Sequence, residues 1–373
     1  MKIPRFTLEH WMRRYEAAPP RHSLAGSAGP CWTVGEVLAL GGVDPDEVMT
    51  TPILYAPFEG STELRTEVAN YVGVQPEDVL ITTGASEAIA ILIASHAEAN
   101  GNVVVPSPGY PSFAGLTQVF GMEPREYRLR REDGFAIDPD RVLSNVDPGT
   151  RAVIVNSPHN PTGSLASREA LLALAAALND RGVTLIVDRV FHSPGDDAEP
   201  WGLDELPGAI PIGDMSKALS LPGLRVGWIA DRDVARRGPY LDLRGYFTLS
   251  NAPLAERLAT IALQHRGRVL ARRDSVARTN LSALALVIDR HPAVDWVRPR
   301  GGATSFPWLT SGRDARPFCE RLAEAGVLTV PGDCLGYPDH FRVGFADNEP
   351  AAFADAMEVL AEALSREDDQ AAA

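Results

Sequence analysis

Short apolar runs without polar alternation recur through the middle of the chain, at 79–82, 103–105, 152–156, 184–187 and 225–229. Strands of that kind are buried on both faces. Helical stretches separate them, notably 86–99 and 167–179. A helix over 61–71 precedes them and opens on a capping-box pattern at Ser61, with Leu64 and Arg65 on its buried side. Apolar strands interleaved with helices predict an α/β fold with a mostly parallel central sheet covered by helices. After Tyr246 the pattern changes to one helical stretch from 252 to about 290. A smaller α/β unit follows, with strands near 294–297, 303–306, 327–330 and 341–345 and helices over 313–325 and 351–365.

The start of the chain is mixed. Phe6, Leu8, Trp11, Met12 and Tyr15 form an apolar stripe on a short helix over 7–16. A Pro/Gly/Ser stretch over 19–30 and a second short helix over 33–40 come next. The pattern thus divides into an N-terminal segment (1–45), a large domain (46–250) and a small C-terminal domain (251–373). The Trp/Tyr stripe is expected to pack on the small domain or on a partner subunit. No internal repeat is visible, and the tail after Arg366 reads as disordered.

Charge changes the picture in one direction. A formal net charge of -14 over 373 residues argues against nucleic-acid or anionic-membrane surfaces. It suits small-molecule chemistry and favours cationic substrates through steering. Cys31, Cys319 and Cys334 are odd in number and lack a C-x-x-C pair, which predicts free thiols, with no disulfide frame or zinc site. The histidines show no metal-ligand spacing, so no metal is expected. No signal-peptide run or bilayer-length apolar stretch is present, and the protein is expected to be cytoplasmic.

Candidate chemistry lies at the strand ends, where ligands of such sheets bind. Lysine occurs only as Lys2 and as Lys217, in the turn Gly213-Asp214-Met215-Ser216-Lys217. An arginine there could supply charge, but only lysine can lose its proton and condense with a carbonyl. After the run at 79–82, Gly84, Ala85 and Ser86 open a helix whose free N–H groups and dipole favour an anion. Pro108-Gly109-Tyr110-Pro111 puts an aromatic ring at the end of the next strand. Two prolines flank Asn160 in a turn that aims it at the same place. Asp188 ends the most apolar strand and needs a cationic or hydrogen-bonding partner there. Together these are the parts needed to hold pyridoxal 5′-phosphate, whose protonated ring nitrogen would be that partner.

Two motifs, Ser157-Pro158-His159-Asn160-Pro161-Thr162-Gly163 and Ser216-Lys217-Ala218-Leu219-Ser220-Leu221-Pro222-Gly223-Leu224-Arg225-Val226-Gly227-Trp228, make the chain resemble the class I/II aminotransferase superfamily of fold-type I pyridoxal-phosphate enzymes. The resemblance runs from Tyr55 to about Phe345 and implies an aspartate-aminotransferase-like fold. By that likeness Lys217 condenses with the cofactor aldehyde and later moves the substrate's α-proton. Arg225, with Gly84, Ala85 and Ser86, holds the phosphate. Tyr110 stacks on the ring, Asn160 donates to the phenolic oxygen, and Asp188 keeps the ring nitrogen protonated. Arg342, in Phe341-Arg342-Val343-Gly344-Phe345, pairs with the substrate α-carboxylate, close to Asn160. Tyr55 reaches the phosphate of a partner subunit, which implies a homodimer with shared sites.

Two positions depart from the pattern. Phe191 stands where the superfamily often has a tyrosine that donates to the phenolic oxygen. Asp214 stands where a phosphate-binding Ser or Thr is usual, so it is expected to turn away or meet a cation such as Arg225 while Ser216 serves the phosphate. Leu8-Glu9-His10-Trp11, Phe191, the stretch Arg300 to Pro307 and Val330-Pro331-Gly332 resemble a narrower group, the capreomycidine synthase-like members. Those imply elimination and ring closure on a hydroxylated arginine. The leading expectation is an aminotransferase acting on an α-amino acid. The alternative is elimination, replacement or cyclisation of a modified amino acid without net transamination. A non-catalytic member that binds ligand for regulation is disfavoured by the full set of lysine, aspartate and arginines.

Overall fold

Runs that are apolar at every position become strands with both faces covered. In the computed structural model, which describes residues 3–193 and 206–372, they form one seven-stranded sheet. Its members are β1 (Val79–Thr82), β2 (Asn102–Ser107), β3 (Glu123–Arg128), β4 (Thr150–Asn156), β5 (Thr184–Asp188), β6 (Ala209–Asp214) and β7 (Gly227–Ala230). The order is β1-β7-β6-β5-β4-β2-β3. The pairs from β3 through β6 are parallel, while β7 runs antiparallel to both β6 and β1. Alternate residues of one strand feed different cores. Val153, Val155, Leu185 and Val187 pack with Leu171, Leu174 and Leu178 on one face. Ile154, Ile186, Ile210 and Ile212 pack with Ile89, Leu92 and Ile93 on the other. Each such side chain contributes about 1.5–3 kcal/mol relative to exposure.

Several expectations are corrected. The edge strand β3 has no apolar run, since its sequence is Glu-Pro-Arg-Glu-Tyr-Arg with only Tyr127 buried. Charges and a proline suit an edge that must not pair further. The strand expected over 225–229 begins at Gly227, because Arg225 takes a left-handed conformation (φ 51, ψ 45) that turns the chain first. Helix Thr62–Val72 has Ser61 at its N-cap, but no side-chain cap forms. The third helical position is Leu64, which cannot complete a capping box, and the Ser61 N–H donates instead to Glu256 at 2.8 Å.

The stretch 252–290 is two helices, Pro253–Gln264 and Arg266–Ile288, parted at His265. They serve different neighbours: the first packs on helices Val34–Gly41 and Thr62–Val72, the second on the C-terminal helix. That last helix runs Pro350–Ala372, so the described part of the tail after Arg366 is helical where disorder was expected. Asp368 accepts from the Ala293 N–H at 2.7 Å and pairs with His291 Nδ1 at 2.7 Å, and Glu367 pairs with Arg321. The strands beyond Val294 are shorter than expected, two to four residues each.

The N-terminal segment is tied to the far end of the chain. His22–Ser23 pairs in parallel with Val327–Leu328. Trp11 Nε1 donates to the Thr329 carbonyl at 2.7 Å, and Arg14 meets Glu320. The apolar stripe of helix Thr7–Arg13 is thereby turned inward. No helix among the described residues is long and apolar enough to cross a membrane.

Candidate active site

The carboxyl ends of β4, β5 and β6 place Asn156, Asp188 and Asp214 side by side. The turns after β1 and β2 add the Gly84–Ser86 helix start and Tyr110. These groups line one cavity of about 510 Å³ that also receives Lys217, Asn160, Phe191 and Arg342. Of the helix start, Ala85 and Ser86 line it, while Gly84 and Arg225 do not. A Cβ on Gly84 would lie 2.2 Å from Arg225 Nη2, and one on Gly227 would lie 2.5 Å from the Gly84 carbonyl carbon. Only glycine allows backbone and guanidinium to approach this closely.

Lys217 Nζ donates to Ser27 Oγ at 2.9 Å. Burial lowers its pKa, Asp214 opposes that shift, and Arg342 adds to it. The amine is therefore easier to deprotonate than a surface lysine. Asp188 is buried, and burial pushes its carboxyl up to about 7 against a hydrogen bond from the Val190 N–H at 3.0 Å. Such a carboxyl is poised to ionise when a cation arrives beside it.

Asn160 is buried and held by its own N–H on Asn156 Oδ1 at 2.7 Å. Its Oδ1 accepts from Arg342 Nη1 at 3.1 Å, and Arg342 Nη2 donates to the Ala25 carbonyl at 2.7 Å. Arg342 Nε is buried without a partner. Burial lowers its pKa to about 10, so it stays charged near neutrality. Tyr110 is flanked by Ser112 and Ser86, and burial raises its pKa. Phe191 is buried, with its ring centroid 6.0 Å from Lys217 Nζ. Tyr55 lies elsewhere: it is 81% exposed and borders a separate depression with Leu54 and Pro57.

Asp214 neither turns away nor meets Arg225. Its carboxylate accepts from the Ser216 N–H at 2.9 Å, the Ser216 hydroxyl at 2.7 Å and the Ala85 N–H at 3.4 Å. Arg225 reaches Ser216 Oγ at 3.3 Å instead. Sequence reasoning also missed Ser27, Asn156 and Asp347. Asp347 lies over Gly26, where a Cβ would come 1.8 Å from its carboxylate. Burial pushes its carboxyl up to about 6, while Arg342 and Lys217 pull it down. Glu9 and Glu16 of the N-terminal segment border the same cavity. Ser27 and Asp347 sit in ordinary loop sequence; for Asn156, its place at a strand end was a usable signal.

The donor set suits a phosphorylated pyridine aldehyde. It offers a lysine with a lowered pKa, a buried carboxyl needing a cation, and an N-terminal helical turn beside an arginine. Among the described residues no cluster of His, Cys, Asp or Glu could hold a metal ion.

Comparison with known proteins agrees. Residues 48–360 match the family Aminotransferase class I and II. Capreomycidine synthase from Streptomyces vinaceus is 35% identical over 362 residues, covering 93% of this chain and 91% of that protein. A pyridoxal-phosphate-dependent aminotransferase from Streptococcus suis superimposes with a TM-score of 0.92 at 28% identity, over 98% of this chain and 99% of that one. The pyridoxal-phosphate-dependent cyclase OrfR gives 0.88 at 28% identity, over 98% of each chain. The architecture is the aspartate-aminotransferase fold.

Proposed function

The chain belongs to the aminotransferase class I and II family and is a pyridoxal 5′-phosphate-dependent enzyme of amino acids, and from that premise we propose that it moves the amino group of an α-amino acid, with Lys217 as the acting amine. The observation that carries this reading is the meeting of Lys217, Asp188, Asn160 and Arg342 in one cavity. When bound, the cofactor supplies an electron-withdrawing ring that stabilises negative charge at the substrate α-carbon. Asp188 would hold a proton on the ring nitrogen by offering it a buried carboxylate. Arg342 would clamp the substrate α-carboxylate, its free Nε–H and its fixed guanidinium plane favouring a bidentate pair. Lys217, whose pKa burial lowers, would take the α-proton and return it elsewhere. Asn160 would donate to the phenolic oxygen, with Tyr110 against the ring. Gly84, Ala85, Ser86, Ser216 and Arg225 would surround the phosphate.

A homodimer belongs to this reading. Met49, Ile53, Leu54, Tyr55, Phe58, Tyr246 and Phe247 leave apolar surface exposed, which favours cover by a second copy that receives Tyr55 at its phosphate. The free thiols Cys31, Cys319 and Cys334 favour a reducing, cytoplasmic setting. We take residues 46–250 as the cofactor domain and 251–373 as the small domain, with 1–45 packed on the latter.

A second reading has its own support. Glu9, Glu16 and Asp347 place three carboxylates around a cavity whose cations, Lys217 and Arg342, already have tasks. That favours a substrate with a cationic side chain, and with it elimination or cyclisation of an arginine derivative. The deciding experiment is an amino-acid screen of the holoenzyme, including arginine and hydroxylated arginine. Keto acid with an equal amount of aminated acceptor supports transamination. Ammonia released with keto acid but no aminated acceptor, or a cyclic product, supports the second reading. Neither product from any amino acid would defeat both.

A further inference from the structure

The buried carboxylate of Asp214 occupies ground that an incoming phosphate needs. It takes the Ala85 N–H at the first turn of helix Ala85–Ser95, and the hydroxyl and N–H of Ser216. A serine hydroxyl has one proton. With that proton given to Asp214 and a lone pair engaged by Arg225 at 3.3 Å, Ser216 has no donor left for a second anion. Arg225 is itself divided, with Nη1 on the Pro222 carbonyl at 3.0 Å and Nη2 on the Thr83 carbonyl at 3.4 Å.

The charges around Asp214 do not cancel its effect. Asp188 adds a second carboxyl from β5. Lys217 attracts Asp214, and Arg225 stands on the side of Ser216. Glu87, in the first turn of helix Ala85–Ser95, binds the Thr83 N–H and so removes another donor from the same turn.

We infer that Asp214 is an internal anion that competes with the cofactor's phosphate for the Ala85–Ser216 cradle and holds the affinity of this chain for phosphorylated ligands below what the same cradle would give without it. The inference rests on the reading of that cradle as the phosphate subsite. For the phosphate to seat fully, the carboxylate must give up the Ala85 N–H and the Ser216 hydroxyl. A merely structural role, tying the turn after β6, would make the residue neutral or helpful to phosphate binding.

The test uses the full chain freed of cofactor and three probes: inorganic phosphate, pyridoxamine 5′-phosphate and pyridoxamine. Neither pyridoxamine form carries the aldehyde, so linkage to Lys217 does not enter. Binding is measured by titration calorimetry for the wild type, Asp214→Ser and Asp214→Asn, with melting curves showing each to be folded. Removing a like charge from a shared site is worth about one pK unit or more, so both phosphorylated probes should bind about tenfold more tightly to the variants. Pyridoxamine should bind all three proteins equally. Unchanged or weaker phosphate and pyridoxamine 5′-phosphate binding in the folded variants overturns the inference. Equal tightening of pyridoxamine overturns it too, since the effect would then not concern phosphate. If no protein binds pyridoxamine 5′-phosphate better than pyridoxamine, the cradle is not a phosphate subsite and both readings fall.

Discussion

Lys217 Nζ donates to Ser27 Oγ at 2.9 Å, although 190 positions separate the two residues. The contact fixes the amine at the cavity that Asp188, Asn160 and Arg342 also line. Borohydride reduction of the holoenzyme followed by peptide mapping should therefore place a pyridoxyl group on Lys217. Lys217→Ala should carry none. A label on Lys2, or an unlabelled protein that still contains cofactor, refutes the assignment.

Asp188 makes stability without cofactor depend on pH. Its carboxyl is raised from 3.8 to about 7 by burial. The stabilisation from holding it protonated is complete below the unfolded value and is lost as pH rises through the folded one. That loss is at most about 4 kcal/mol, from roughly three units at about 1.4 kcal/mol each. The cofactor-free Asp188→Asn protein should thus melt above the wild type at pH 8 and match it near pH 4. A smaller decline, from Asp347 raised to about 6, should remain in the variant. Melting curves that fall equally in both proteins would show that Asp188 is not the group titrating.

Tyr55 is 81% exposed and lies outside the cavity of its own chain. If it completes the site of a second copy, as proposed, Tyr55→Phe and Lys217→Ala should each be inactive or nearly so. A mixture allowed to exchange subunits should regain part of the activity, because one hybrid site has both intact residues. Sedimentation that finds a fully active monomer contradicts this.

Phe191 bears on the linkage between Lys217 and the cofactor. Its ring lies 6.0 Å from Lys217 Nζ and cannot donate a hydrogen bond. A tyrosine here should stabilise the cofactor's phenolate and lower the pKa of that linkage by about one unit, the worth of one charge-assisted bond. A spectrophotometric pH titration of the wild type and Phe191→Tyr reads it directly. An unchanged pKa, with the new ring shown to keep the old position, means that residue 191 does not face the phenolic oxygen.

Much of this protein was determined locally. A strand buried on both faces must be apolar throughout, so β2, β4 and β5 announced themselves, and the residues at their ends stood out as polar exceptions. Lys217, Asn160 and Asp188 were legible for that reason: each sits in a short segment whose chemistry is odd for its place. What depended on distant partners was not legible. β3 is polar because it lies at an edge, and nothing in six residues says which edge. The tail reads as disordered until Ala293, His291 and Arg321 receive Asp368 and Glu367. Ser27 and Asp347 became part of the cavity only because pairing of His22–Ser23 with Val327–Leu328 carries Gly26 beneath the loop after Arg342. Asp214 was visible as a departure, but its direction was not. A carboxylate beside an arginine and a free helix start has two partners to choose from, and only the packed positions of Ala85 and Ser216 decided between them.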